Sequence, residues 1–342
     1  HDIQRTKAHR LSDKEEKILA ESSLLANTPA SIYQIFSNAD FPYPKLTLSD
    51  GKTVTLNQAG YSRYRAVPER QDREKVFQAF WGSLNRFQRT FGVQLYSSVK
   101  RDMFYARTRH YPSTLASKLD EFNIPVAVYK ALLENVNQNL ESLHRYLRLK
   151  QRMLGVEKLK YSDVYAPVVQ EMDQQYSVEE AKKLILAAVE PMGPEYAEVV
   201  RRAFAGRWID IYPTAGKQSG AYSSGSAYDV HPYILMNYNE RYDDVSTLMH
   251  ELGHTLHSYY ANQTQPYATA DYSLFVAEVA STFNEALLMN RMLAEIQEVE
   301  MRLSLLMNYV EGVRQTVFRQ SQFAEFELRM HETAERGEPL TG

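Results

Sequence analysis

The chain has 342 residues, with 39 basic and 42 acidic side chains, a formal net charge of −3, nine histidines and no cysteine. That length allows two or three domains with large cores, and the balanced charge with no dense basic run argues against a nucleic-acid partner. The lack of cysteine removes disulfides and thiolate zinc sites, leaves His, Asp and Glu as metal ligands and fits a cytoplasmic location. No apolar run approaches the roughly 18 residues of a membrane span, and no signal peptide is visible.

In chain order, Ser12-Asp13-Lys14-Glu15 is a capping-box pattern before Ile18, Leu19 and Leu24, and predicts a helix over residues 12–27. Thr28-Pro29 ends it, and a shorter helix follows with Ile32, Ile35 and Phe36 on one face. Phe41-Pro42-Tyr43-Pro44 forces extended chain. Residues 45–56 alternate around Asp50-Gly51, which predicts a hairpin. A boundary falls at 65/66, separating residues 1–65 from residues 66–342.

Residues 70–151 read as a series of helices, with Val76, Phe77, Phe80, Trp81, Leu84 and Phe87 at helical spacing. Val128, Leu132, Leu133, Val136, Leu140, Leu143 and Leu147 repeat the pattern. Turns fall at Tyr111-Pro112-Ser113 and Asn123-Ile124-Pro125. The arginines at 86, 89, 101, 107 and 109 read as solvated faces and salt-bridge partners, with a basic groove wall as the other reading. Ser177 to Glu180 is a second capping box opening a helix to about 189, and another helix covers 195–204.

The character then changes. Residues 208–213 read as a short strand and 233–238 as a buried one. Between them, residues 216–225 are rich in Gly and Ser. They lack the phosphate-loop order, because Ile211 stands where the first glycine belongs and Gln218 follows Lys217. A flexible or edge-strand segment near a cleft fits better.

His250-Glu251-Leu252-Gly253-His254 has the form H-E-x-x-H. On a helix, histidines four apart stack on one face and can grip one zinc ion, while Glu251 reaches a water on the metal as general base. Residues 258–270 then read as a polar segment, residues 274–294 as a strong helix, and residues 296–336 as a final long helical stretch. Catalytic zinc sites take three protein ligands. His257 returns to nearly the same face but lies too far along a straight helix to share the ion; it reads as substrate-facing or supporting, or as a plain surface histidine. Tyr260 excludes the metzincin pattern. Glu278, an acid in an apolar stretch, is the favoured third ligand, because a lone buried carboxylate is costly unless paired or metal-bound. Glu285, one heptad on, and Asp244, before the motif, are candidates to hydrogen-bond a ligand histidine, with a surface or capping role as the alternative for both.

From residue 244 to 288 the sequence resembles the zinc-dependent oligopeptidases of the thimet oligopeptidase family, bacterial oligoendopeptidase F branch. The stretches HELGHTLHSYY and DYSLFVAEVASTFNEALL carry the resemblance, with WIDIYPTAGKQSGAYSSG and HPYILMNY upstream, RQSQFAEFELRMHETAERGEPLTG downstream and KAHRLSDKEEKILAESS at the start. It covers nearly the whole chain. It implies a mostly α, zincin-type helical peptidase: two helical halves around a deep channel, with a small β-sheet beside the active-site helix. It assigns residues 1–65 to the remainder of the N-terminal oligopeptidase F region and 66–342 to the catalytic region. It implies one Zn(2+) per chain on His250, His254 and Glu278, and Glu251 as base. Gly220, Ala221 and Tyr222 match its peptide-binding wall strand, and His231 lies in its H-P-Y motif at the cleft. The expected partners are short peptides, with no nucleic acid and no membrane. The family continues past the chain's end into a segment that stabilises the tetrahedral intermediate, and begins well upstream, so a complementary C-terminal segment or chain is a further expected partner. Internal cleavage of oligopeptides in a bacterial cytoplasm is the expected function. A zinc carboxypeptidase of related fold and a catalytically silent peptide-binding fragment are the alternatives.

Overall fold

The computed structural model describes residues 2–169, 175–214, 217, 218 and 220–341. The protein is mostly helical with two small sheets, as the sequence led us to expect. By packing it divides into two units, His1–Val168 with Glu311–Gly342, and Val169–Val310. This division by contacts differs in kind from the 65/66 boundary read from the sequence pattern.

The chain runs through α1 (Asp2–Thr6), α2 (Asp13–Ala26), α3 (Thr28–Ile35), strands β1 (Lys45–Thr47) and β2 (Thr53–Thr55), then α4 (Gln58–Tyr64), α5 (Arg70–Asn85), α6 (Gln88–Thr108), α7 (Thr114–Asp120), α8 (Val126–Gln138) and α9 (Leu140–Met153). The second unit holds α10 (Val178–Ala188), α11 (Pro194–Ala205), β3 (Ile209–Asp210), β4 (Tyr222–Ser224), β5 (Tyr233–Leu235), α12 (Tyr242–Thr264) and α13 (Leu274–Glu295). It also holds most of α14 (Val299–Val313), which crosses the unit boundary at Val310 and is followed by a π-helical stretch (Arg314–Arg319) and α15 (Gln320–Glu335).

Local chemistry accounts for much of the first unit. At α2, the Glu15 carboxylate accepts from the Ser12 amide at 3.0 Å, and Ser12 Oγ accepts from the Glu15 amide. The capping box is therefore closed in both directions. β1 and β2 pair antiparallel, Leu46 opposite Val54, about a turn in which Gly51 takes a φ of +83°, a conformation glycine adopts without strain. The hairpin buries Leu48, Val54 and Leu56 against Tyr61, Val76 and Phe80. The unit also buries a carboxylate. Asp163 is fully enclosed and accepts from Arg70 Nε (3.1 Å) and Nη2 (2.8 Å), Arg73 Nη2 (3.2 Å) and the Lys160 amide (3.0 Å). Burial works to raise its pKa, but these donors outweigh it and hold the carboxyl below its usual range.

The second unit has one apolar core. Ala181 and Ile185 of α10, Val200 and Ala203 of α11, and Ile234 and Met236 around β5 pack against Val245, Leu248, Met249, Leu252 and Leu256 of α12. The α12 residues recur at three- and four-residue spacing, and each fully buried side chain of this size contributes about 1.5–3 kcal/mol. That stripe fixes the rotation of α12 and so the direction of its histidines. The sheet has the order β3-β5-β4, with β5 parallel to β3 and antiparallel to β4. β4 is therefore an edge strand, as one reading of the Gly/Ser-rich segment anticipated. Gly216 and Ser219 of that segment lie outside the described residues.

Four boundaries differ from expectation. The strand over 208–213 shrinks to Ile209–Asp210, and the one over 233–238 to Tyr233–Leu235, although Met236 and Tyr238 remain buried and bond to the β3 edge through their amides. α12 does not stop near 258 but runs to Thr264, because Leu256 and Ser258 are still buried and Asn262 Nδ2 donates to the Gly225 carbonyl at 3.1 Å. The final helical stretch is two α-helices joined by one π-helical segment.

Candidate metal centre

His250 and His254 sit one turn apart on α12, beside its buried apolar stripe. Glu278 comes from the first turns of α13. His250 Nε2 and His254 Nε2 are 3.2 Å apart, and Glu278 Oε2 is 3.3 Å from the first and 3.4 Å from the second. Three donor atoms thus form a nearly equilateral triangle. For an ion bonded at about 2.0–2.1 Å, the zinc–nitrogen distance, tetrahedral edges are about 3.3–3.4 Å. The donor set fits a tetrahedral ion with one position left open.

The other imidazole nitrogens are anchored. His250 Nδ1 lies 2.8 Å from Glu285 Oε1, and His254 is hydrogen-bonded to the carbonyl of Ala277. Carboxylate and carbonyl oxygens only accept, so these bonds place the ring protons on the far side and turn the Nε2 lone pairs inward. Burial works to lower the His250 pKa, but the Glu285 hydrogen bond and charge outweigh it and carry it above the usual imidazole value. Burial lowers that of His254. A proton on His250 Nε2 would satisfy one neighbouring acceptor; a divalent ion satisfies all three.

Two features close the centre from α13. Ser281, fully buried, donates through Oγ to Glu278 Oε2 at 2.7 Å, the same oxygen that faces the histidines. Gly253, between the two histidines, is where the α13 backbone passes. A Cβ there would lie 2.6 Å from Ser281 Cα and 2.7 Å from the Ala280 carbonyl oxygen. Asn284, also buried, donates to the Met249 carbonyl (3.2 Å) and accepts from Tyr196 Oη (3.0 Å). The two helices are thereby locked at the level of the ligands.

Glu251 is buried next to the pair, and burial raises its pKa. The Ser223 amide of edge strand β4 donates to its carboxylate, and Ser223 Oγ is 2.8 Å from Thr255 Oγ1. A buried carboxylate with a raised pKa on the same helix turn as two histidines has the protonation character of a general base.

The remaining expected residues fall in different places. Asp244 caps α12, accepting from the amides of Asn239 and Arg241 at 3.0 Å each, whereas Glu285 holds His250. His257 stacks on Tyr272 at 3.7 Å, with Nδ1 buried and without a hydrogen-bond partner. Gly220 has a φ of +91° and its carbonyl accepts from Asn237; Ala221 leads into β4, and Tyr222 opens it with its side chain exposed. His231 stacks on Trp208, away from the triad. The reason given for Glu278 does not hold: its side chain is 64% exposed, and Phe275, Val279 and Phe283 around it are exposed too. It stands at the centre because α13 crosses α12 there, not because burial forces a charge to find a partner. Ser281, Ser223, Thr255 and Asn284 were not singled out from the sequence. A polar residue three after Glu278 on the same helix face was the available signal for Ser281.

The family model for peptidase family M3 matches residues 63–341, and that for oligopeptidase F matches residues 1–43. Oligopeptidase PepF of Bacillus subtilis is 39% identical over 340 residues, 99% of this chain and 51% of the relative. Group B oligopeptidase PepB of Streptococcus agalactiae is 39% identical over 98% of this chain and 55% of its own. Among solved structures, a chain from Chlamydophila abortus superposes with a TM-score of 0.90 at 36% identity, over 99% of this chain and 57% of that one. Oligoendopeptidase-F of Enterococcus faecium gives 0.76 at 31% identity, over 99% and 54%. The chain spans about half the length of the curated relatives it matches.

Proposed function

The chain belongs to peptidase family M3, and from that premise we propose that it is a zinc metalloendopeptidase acting on internal bonds of short unfolded peptides. The observation that carries this reading is the triangle of His250, His254 and Glu278, with Glu251 buried on the same helix between the two histidines. No helix among the described residues is long and apolar enough to cross a membrane.

His250, His254 and Glu278 hold the ion, and Glu285 and Ser281 keep two of them aimed. A zinc ion held there would supply a Lewis acid for the scissile carbonyl and would lower the pKa of a water toward neutral. Glu251 takes the proton of the attacking water and passes it to the leaving amine nitrogen. β4, an edge strand next to Glu251, offers backbone groups to an extended peptide, with Gly220, Ala221 and Tyr222 at its start. His257 lies one turn beyond His254 and is the nearest remaining candidate to touch substrate.

The test is an internally quenched peptide with both ends blocked, given to the zinc-loaded chain with and without chelator. Cleavage between internal residues, lost with chelator, is expected. Glu251→Gln should lower turnover by about 10²–10⁴-fold while zinc stays bound. Release only of terminal residues from an unblocked peptide would replace the endopeptidase reading by the carboxypeptidase one. Because the chain spans half of its relatives, turnover by this chain alone is part of the proposal; zinc binding without cleavage would leave a peptide-binding fragment.

A further inference from the structure

The second unit has another cavity, of about 400 Å³, formed where α11, the start of β5 and the last turns of α12 meet. Tyr259 on its wall is five residues past His254, which places it about 140° round the helix from that ligand. The walls are aromatic. Trp208 and His231 stack at 4.6 Å with planes 4° apart, Tyr233 leans on His231 at 4.5 Å, and Tyr259 lies 5.7 Å from Trp208. His231 Nδ1 is 2.9 Å from the Pro232 carbonyl, which can only accept. The ring proton therefore sits on Nδ1, and Nε2 is left as an acceptor.

The same cavity carries two opposite charges that do not neutralise each other. Arg202 lies over the faces of Trp208 and Tyr259 and donates to Tyr259 Oη at 3.1 Å. Asp229 lines the cavity as well. Among the described residues neither forms an ion pair. A guanidinium and a carboxylate that share a small aromatic cavity yet stand too far apart to pair are complementary to a ligand that brings its own carboxylate and ammonium. Trp208 is buried, stacked on His231 with Arg202 over its ring, so the exposed ring of Tyr233 is the one that can take a planar side chain of that ligand. The volume lies within the usual range for small-molecule pockets.

We propose that this cavity is a binding site for a free aromatic α-amino acid, its carboxylate on Arg202, its ammonium toward Asp229 and its ring against Tyr233 and Tyr259. The site is separate from the metal centre and does not depend on it.

The experiment titrates the full chain with L-phenylalanine, following the indole N–H resonance of Trp208 by NMR and the heat of binding by calorimetry. The chain has only two tryptophans, and Trp81 in the other unit serves as the unresponsive reference. Saturable binding that shifts Trp208 alone is expected. N-acetyl-L-phenylalanine amide, which lacks both charges, and L-alanine, which lacks the ring, should each bind at least about tenfold more weakly, as should L-phenylalanine to Arg202→Gln and to Asp229→Asn. Glu278→Ala should bind it unchanged. Absence of saturation by about 20 mM, equal binding of the neutral amide, or insensitivity to both charge variants would overturn the proposal. Asp229 is on an exposed loop, so a folding defect in the Arg202 variant would still leave a decisive variant. Failure here leaves the metal centre untouched, and loss of peptidase activity leaves this site untouched.

Discussion

The buried Asp163 cluster and the candidate metal centre both gather ionisable side chains, and they differ in how those charges are met. Around Asp163, one carboxylate accepts from two guanidinium groups and a backbone amide, so every lone pair turned inward meets a proton. Around His250, three lone pairs face one another at 3.2–3.4 Å, and each imidazole proton is committed elsewhere. The first cluster is complete as it stands and holds a fold. The second turns its acceptors toward a point where, on the proposed reading, a metal ion would supply the missing positive charge. A polar cluster with its charges matched reads as structural; one with its acceptors converging reads as a site.

The comparison breaks if removing Glu278 spares metal binding. Apparent zinc binding of about 10–16 kcal/mol spread over three ligands puts about 4 kcal/mol, roughly a thousandfold, on each. Glu278→Ala should lose that much zinc affinity by chelator competition, with an unchanged circular dichroism spectrum. The converse is Asp163→Ala, which strands the buried Arg73 guanidinium and removes a partner of the part-exposed Arg70, and should cost about 3 kcal/mol in denaturant unfolding while leaving zinc affinity alone. If Asp163→Ala weakened zinc by more than a few-fold, the two clusters would not be independent. Smaller changes sharpen the contrast. Ser281→Ala should weaken zinc about 10- to 100-fold through the loss of a hydrogen bond that aims Glu278, and a variant with wild-type zinc affinity would reduce Ser281 to packing. Gly253→Ala forces a Cβ into the α13 backbone and should cost about 1–3 kcal/mol of stability; a neutral result would mean the helices can part without penalty.

The smallest effect concerns His331 in the first unit. Its hydrogen bond to Asp102 raises the imidazole pKa against burial. A raised folded value favours the charged form, so this contribution is present below the unfolded value of about 6.5 and is lost as pH rises through the folded one. Wild type should lose under about 1 kcal/mol over that window relative to His331→Gln. A parallel pH dependence in the two proteins would remove the residue from the account.

Much of the fold was legible where the determinants are local. The capping boxes at Ser12 and Ser177, the Asp50-Gly51 hairpin and the H-E-x-x-H helix each need only a few neighbouring residues. Glu278 was identified as a ligand candidate on an expectation of burial that the structure does not bear out, so that inference reached the right helix by an insufficient argument. What sequence pattern missed is non-local. Asp163 meets arginines some ninety residues earlier. His331 meets Asp102 across 229 positions, and the return of residues 311–342 to the first unit has no signature in periodicity. Strand lengths were overestimated because apolar residues past the ladder, such as Tyr238, stay buried without continuing the pairing.

Gly253 also bears on the order in which the centre assembles. The two histidines belong to one helix and are in register as soon as α12 winds. Glu278 arrives only when the chain between them has closed a loop and α13 has docked on the one residue without a side chain. An ion met early is held by two ligands and exchanges freely; the same ion after docking is held by three, with Ser281 and Glu285 in place behind them. If the centre binds zinc as proposed, capture would be the last tightening of a helix pair rather than its seed, and the rate at which zinc becomes resistant to chelation would measure how fast α13 finds α12.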